Sequence, residues 1–431
     1  MGVQTDKVRF NVGGKIFETT ATTLANAGRN SMFGAMFDDQ WNFRPREIND
    51  EYFIDRDPEC FPILLNLLRT GKLHVLPSIP EKLLYEEALY YGLLDNVRSA
   101  KWGRFDGNKL KLTSSVKGPA LHDCTAIRAS PDGGCAVAHG SIVHVYNWML
   151  EEREPLNLDY RIVNDIAWMD SENIVVSAGQ RLGEGYGGMG LFSSSTGELR
   201  HRYEVKSQTA GALCFNSDGK IFACCGGTSS ENGIGVWDQL TGKQVDIYKS
   251  TSGRFLGNAG KIEWLDRSNC LFISALSPWG KDSHVCLLDI RTRKKLIWSW
   301  SELAHIDGVV YDAIAMEESN SVCLVNEYED LGFLDLRSAV PSIQWKPSNL
   351  ENRKYDQTCY PKLALHDGQV FCSMDDGISV FSGPDKVLTS SLGRSCGGSI
   401  RDFSIGGDRL FVLHNAENMF DVWEAPSPPL I

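Results

Sequence analysis

The sequence predicts an α/β domain over residues 6–102, an all-β propeller of seven blades over 107–425, and a short tail at 426–431. Three observations predict this. Near the start, Arg9-Phe10-Asn11-Val12-Gly13-Gly14-Lys15-Ile16-Phe17 alternates apolar and polar residues around a glycine pair, the pattern of a hairpin with one buried face. Between residues 57 and 94, two stretches carry apolar residues at helical spacing. From about residue 115, short β segments separated by Gly, Asp, Asn and Ser clusters recur at intervals of about 40 to 50 residues, the length of one four-stranded blade.

In the first domain, Val8, Phe10 and Val12 alternate with Arg9 and Asn11 as a half-buried strand. Gly13-Gly14 supplies the positive φ angles of a tight turn, and Lys15 to Thr19 returns as the partner. Asp57, Pro58 and Glu59 read as an N-cap, a first-turn proline and a first-turn acid. Phe61, Leu64, Leu65 and Leu68 then follow on one helical face, Pro62 falls in the first turn, and Thr70-Gly71 ends the element. A second helix is expected from Glu81 to Leu94, with Leu84, Ala88 and Tyr91 on one stripe and Gly92 near its end.

Four motifs in order resemble the potassium-channel tetramerisation branch of the BTB/POZ family: Asn11-Val12-Gly13-Gly14, Phe53-Ile54-Asp55-Arg56-Asp57-Pro58, Leu68-Arg69-Thr70-Gly71-Lys72-Leu73 and Glu86-Glu87-Ala88-Leu89-Tyr90-Tyr91-Gly92-Leu93. The resemblance spans roughly residues 6 to 97. It implies a homo-oligomer and recruitment of a cullin-3 scaffold, so that the chain would be a substrate adapter of a ubiquitin ligase. Asn11, Arg56, Asp57 and Arg69, which carry the motifs, are the oligomerisation candidates. The family's cullin-contacting loop corresponds to Phe33 to Phe43, making Phe37, Trp41 and Phe43 candidates for its hydrophobic anchor, since aromatic residues in a polar rim are common hot spots. Some channel members bind zinc between subunits, but Cys60 is the only cysteine of this domain, and that site is not carried over.

In the second domain, a strand, polar turn and strand begin at Ile127-Arg128-Ala129-Ser130-Pro131-Asp132-Gly133 and recur from Ile166, Leu213, Ile262, Ile314, Leu363 and Phe403. A later landmark follows in Leu191-Phe192-Ser193, Val236-Trp237-Asp238, Leu287-Leu288-Asp289 and Phe333-Leu334-Asp335. Both landmarks resemble divergent WD-repeat blades, with only Trp237-Asp238 literal. Residues 109–112 alternate and are expected to supply the outer strand of the last blade, beside residues 420–423. Closing the ring in this way removes an exposed sheet edge. One propeller face is the expected substrate surface, with Tyr186 and Trp279 as its candidate contacts.

Composition excludes several classes. The net charge of −12 argues against a broad nucleic-acid surface, which needs clustered Lys and Arg. No apolar run approaches a membrane span, and the N-terminus lacks a secretory pattern, so a cytoplasmic or nuclear protein is expected. The 12 cysteines are scattered without C-x-x-C spacing, as expected of reduced thiols in apolar strands. Gly183-Glu184-Gly185-Tyr186-Gly187-Gly188 fits the dinucleotide fingerprint but is followed by a strand pattern, whereas that motif needs a helix N-terminus. Gly393 to Gly398 lacks the spacing of a nucleophile elbow, and His305, His366 and His414 fall in separate blades. No cofactor, metal or catalytic residue is assigned. The favoured reading is a non-catalytic adapter; an oligomeric scaffold without a cullin stays open, and an enzyme would require paired acids converging across the ring.

Overall fold

The computed structural model describes residues 7–425 apart from 29–30, 37–50, 77, 103–104, 119–123, 159, 161, 180–187, 206, 208, 227–231, 250–255, 257–258, 277–283, 292–295, 302–308, 347–359, 375, 395–397 and 416–417. The chain divides into two compact units, residues 1–105 with 425–431, and residues 106–424.

In the first unit, β1 (Lys7–Val12) and β2 (Lys15–Thr20) form the predicted hairpin, with Val12 opposite Lys15. The helices α1 (Ala21–Ala25) and α2 (Met32–Met36) follow, and β3 (Glu51–Ile54) joins β1 in parallel to give the order β2-β1-β3. The remaining helices are α3 (Phe61–Thr70), α4 (Glu81–Tyr90) and α5 (Leu94–Trp102). Alternation along β1 buries Val8, Phe10 and Val12. Phe10 meets Phe33 and Phe61 edge-on at 5.8 and 5.7 Å, while Phe33 stacks on Tyr91 at 5.5 Å. Each such buried ring contributes about 1.5–3 kcal/mol.

Two helix expectations need correction. Asp57 does not cap α3 itself: its Oδ1 accepts from the Glu59 and Cys60 amides at 2.8 and 2.9 Å, holding the turn that leads into Phe61. Pro62 is consequently the second residue of the helix, where a missing N–H sacrifices no helical bond. The pattern read as one helix from Glu81 to Leu94 is two helices, because Gly92 adopts φ +67° and the chain restarts at Leu94. Gly71 ends α3 in the left-handed region and donates to Leu67 O at 2.7 Å, as predicted.

Gly13 combines φ +51° with a backbone wall: a Cβ there would lie 2.6 Å from Arg56 O. Gly13→Ala should therefore cost about 2 kcal/mol, the left-handed penalty plus the displacement of a backbone atom. In the full chain, amide exchange along β1 and β3 is expected to quicken about thirtyfold; unchanged protection would refute the steric argument.

The described strands of the second unit form seven four-stranded sheets, the number that the repeat spacing predicts. The innermost strands are Cys124–Ala129, Val163–Trp168, Thr209–Phe215, Lys261–Leu265, Val310–Met316, Leu363–His366 and Ile400–Gly406, one for each of blades one to seven. Consecutive sheets pack on one another, and the seventh returns to the first. Apolar clusters fill the seams, one joining Phe222, Ile234 and Val236 of blade three to Leu271, Ile273 and Cys286 of blade four. The landmarks at Leu191, Val236, Leu287 and Phe333 all lie on third strands.

Blade seven closes with β4 (Lys111–Lys117), which pairs antiparallel with Met419–Glu424. The exchange was placed at residues 109–112; the ladder in fact runs from Lys111 to Lys117, because Gly107–Lys109 is a 3-10 turn. Ten cysteines are described, all free thiols, nine of them buried.

Candidate protein-interaction surfaces

The N-terminal candidates follow from the hairpin and the segment before α3. Phe37, Trp41 and Phe43 lie outside the described residues. Phe33, at the start of the same segment, is core. Asn11 Nδ2 donates to Glu51 Oε1 at 3.1 Å across β1 and β3, and its Oδ1 is buried with no hydrogen-bond partner. Arg56 grips Glu87 through Nε (3.2 Å) and a terminal nitrogen (2.7 Å), while its guanidinium lies 4.4 Å over the Tyr90 ring. Glu87 is buried, so this bidentate pair is well shielded from solvent. Asp57 holds the turn before α3, and Arg69 donates to Glu18 O at 2.7 Å. These four residues are thus each engaged within the chain, and they do not form one cluster. The apolar side chains left exposed on this unit include Ile16, Phe53, Leu89 and Tyr90.

The propeller centre carries a constellation that the sequence reading missed. Asp165, Asp312 and Asp402 occupy the inner strands of blades two, five and seven, and all are buried. Each carboxylate binds the backbone of the following blade. Asp165 Oδ2 accepts from Leu213 N at 3.0 Å, Asp312 Oδ2 from Leu363 N at 2.7 Å, and Asp402 Oδ2 from Ile127 N at 3.2 Å. Three cations complete the belt. Arg128 bridges Asp165 (2.6 Å) and Asp402 (2.7 Å), Lys362 meets Asp402 (2.8 Å), and Lys261 meets Asp312 (2.6 Å) and Leu363 O (2.8 Å). These groups line a cavity of about 480 Å³, and the Tyr311 and Tyr360 rings, 4.6 Å apart, also border it.

The electrostatics follow from this pairing. Burial alone would raise the Asp402 pKa, but Lys362 and Arg128 outweigh it and hold the carboxyl at about 2. The guanidinium of Arg128 is likewise held charged by Asp165 and Asp402 against its burial. Acids therefore do converge on the centre, but as structural anions with their oxygens occupied. Glu263 of blade four differs: burial raises its pKa, and it accepts no hydrogen bond among the described residues. A general-acid role would need a second working carboxylate. Its neighbour Asp312 is committed to Ala313 N, Leu363 N and Lys261. Among the described residues, no group of His, Cys, Asp or Glu is arranged to hold a metal ion.

A usable signal for the belt was present: an aspartate directly precedes Ile166 and Phe403 and lies two residues before Ile314, all starts of the repeated phrase. Tyr186 and Trp279 lie outside the described residues. Gly188, the last residue of the G-x-G-x-x-G stretch, opens the strand Gly188–Ser193, so a strand follows it rather than a helix. His366 and His414 belong to inner and second strands, and His305 lies outside the described residues. No helix among the described residues is long and apolar enough to cross a membrane.

Two family descriptions match the chain: "BTB/POZ domain" over residues 8–100, and "At2g24240-like, C-terminal beta propeller" over 118–425. The BTB/POZ domain-containing proteins At2g24240 and At4g30940 of Arabidopsis thaliana are each 58% identical to it, with both chains covered completely. The human BTB/POZ domain-containing protein KCTD9 is 39% identical over 95 residues, 22% of this chain and 24% of that protein.

Proposed function

The chain belongs to the BTB/POZ proteins with an At2g24240-like C-terminal β-propeller, and from that membership we propose that it is a non-catalytic substrate adapter of a cullin-3 ubiquitin ligase. The observation that carries this reading is the union in one chain of a channel-tetramerisation-type BTB domain with a propeller whose central aspartates are all spent on holding blades together. In this reading the first domain self-associates, with Asn11, Arg56, Asp57 and Arg69 near the contact. Phe37, Trp41 and Phe43 anchor the cullin. The propeller holds a protein substrate, with Tyr186 and Trp279 on its binding face, and the work is done in the cytoplasm or nucleus. Ubiquitin transfer then gains from proximity, and oligomerisation raises avidity for a multivalent target.

The test is calorimetric titration of the full chain with the N-terminal region of a cullin-3, with mass measured by light scattering. Submicromolar binding by an oligomer is expected. Phe37→Asp or Trp41→Asp should abolish it while leaving the mass unchanged. An oligomer that does not bind would refute the adapter reading and leave a scaffold that assembles partners on its propellers.

A further inference from the structure

Glu263 is the acid that the charged belt leaves unused. Besides the central cavity, it borders a groove of about 1150 Å³ that crosses blades four, five and six. The groove lies on the face bearing the turns that follow the inner strands, Glu317–Ser319 in blade five and Asp367-Gly368 in blade six. Phe215, Trp264, Met316 and Phe333 give it apolar walls. Trp264 is fixed by parallel stacking on Phe222 at 5.6 Å, and its indole Nε1 is buried without a hydrogen-bond partner.

The charges along this groove are unequal in their freedom. Lys346 is tied to Asp385 O and lies 5.1 Å over the Phe333 ring, while Lys386 donates to Gly368 O at 2.6 Å. Burial lowers the His366 pKa, which favours the neutral ring near pH 7. On the acidic side, Glu317 accepts from Ser268 N at 3.0 Å, whereas the exposed Glu318 has no hydrogen-bond or ion-pair partner among the described residues. The cations are thus occupied by carbonyls, and carboxylates remain to be met.

We infer that this groove docks an extended segment of a partner protein, which sets an arginine side chain against Glu263 and apolar neighbours against Trp264 and Phe333. Arginine suits the site better than lysine. Its planar guanidinium pairs with a carboxylate through two parallel bonds, stacks on aromatic rings and is less strongly hydrated than an ammonium. A cation arriving at Glu263 would also restore the ionised form that burial disfavours. The inference rests on the propeller being the protein-binding part of the chain, but not on recruitment of a cullin.

The test selects displayed random peptides on the immobilised full chain, then measures the enriched peptides by fluorescence anisotropy. Enriched sequences should share an arginine flanked by apolar residues. Glu263→Gln, nearly isosteric, should weaken them about ten- to a hundredfold, as expected when a charge-assisted bond is lost, and exchanging the arginine for lysine should weaken them less. Phe333→Ala, at the other wall, carries the same expectation of weakened binding and serves if Glu263→Gln does not fold. No enrichment, enrichment without a basic residue, or unchanged affinity in a folded variant would overturn the inference. Cullin-3 titration of the same variants separates the two readings: loss of peptide with cullin binding intact locates the effect in this groove, whereas a chain that takes the peptide but no cullin refutes only the adapter role.

Discussion

Asp402→Ala should destabilise the propeller by about 3–5 kcal/mol, the cost of removing one partner from a buried ionic network. The carboxylate is nearly inaccessible, and its loss strands three groups at once: Lys362 loses its only ion pair, Arg128 keeps only Asp165, and Ile127 N loses an acceptor across the seam between blades seven and one. For a unit of this size the thermal midpoint should fall by about 10 °C. Asp402→Asn keeps an acceptor without the charge and should fall between the two. A midpoint within about 2 °C of the parent for the alanine variant would mean that the belt contributes little beyond the apolar seams.

The same residue fixes the sign of the acid response. Its folded pKa of about 2 lies below the ordinary aspartate value of 3.8. A depressed carboxylate contributes stability that is complete above the unfolded pKa and is lost as pH falls through the folded one. The parent should therefore lose stability between about pH 4 and pH 2, and Asp402→Ala should show a shallower loss across that window. Asp335 provides the contrast. Arg337 holds it at about 2 as well, yet the pair is solvent-exposed. Screening makes such a pair a weak contributor, so Asp335→Ala should leave the acid limb almost unchanged. Acid titrations of both variants followed by circular dichroism distinguish a buried pair from an exposed one that shares its pKa.

Much of this fold was legible because its signals are local. Alternation in Val8, Phe10 and Val12, the glycine pair after them, and a strand-turn-strand phrase at constant interval all report which backbone face is buried. Boundaries were less legible where one residue serves either of two turns. Asp57 has the chemistry of a helix cap, but its carboxylate reaches the amides just before α3. The central belt depends on ring closure, which brings Arg128 beside Asp402 although they are 274 positions apart in the chain. No window of sequence displays that neighbour. Only the repeated aspartate near the start of three phrases hinted that those strands share a task, and the absence of a cation at a fixed offset concealed what the task was.

A chain beginning at residue 118, where the propeller family match begins, should fail to form a stable ring, whereas one beginning at residue 106 should fold. The difference is β4, which supplies the whole outer ladder of blade seven from Met419↔Lys117 to Glu424↔Lys111. Without it, the strand Met419–Glu424 becomes an unpaired edge, the arrangement that invites association between chains. Side-chain bonds would be lost with the ladder. Ser115 Oγ donates to Asp421 Oδ1 at 2.5 Å and Thr113 Oγ1 to Val422 O at 3.0 Å. Asp421 is fully buried and also meets His414 and Arg394, so its carboxylate would be opened on the side that β4 now covers. Light scattering and thermal unfolding of the two chains decide the matter: the longer should be monodisperse with a cooperative transition, and the shorter should aggregate or melt without one. If the shorter chain melted like the longer, closure through β4 would be dispensable. If it aggregated and a supplied peptide of residues 106–117 restored its transition, the outer strand itself, rather than its attachment to the first domain, would be what completes the ring.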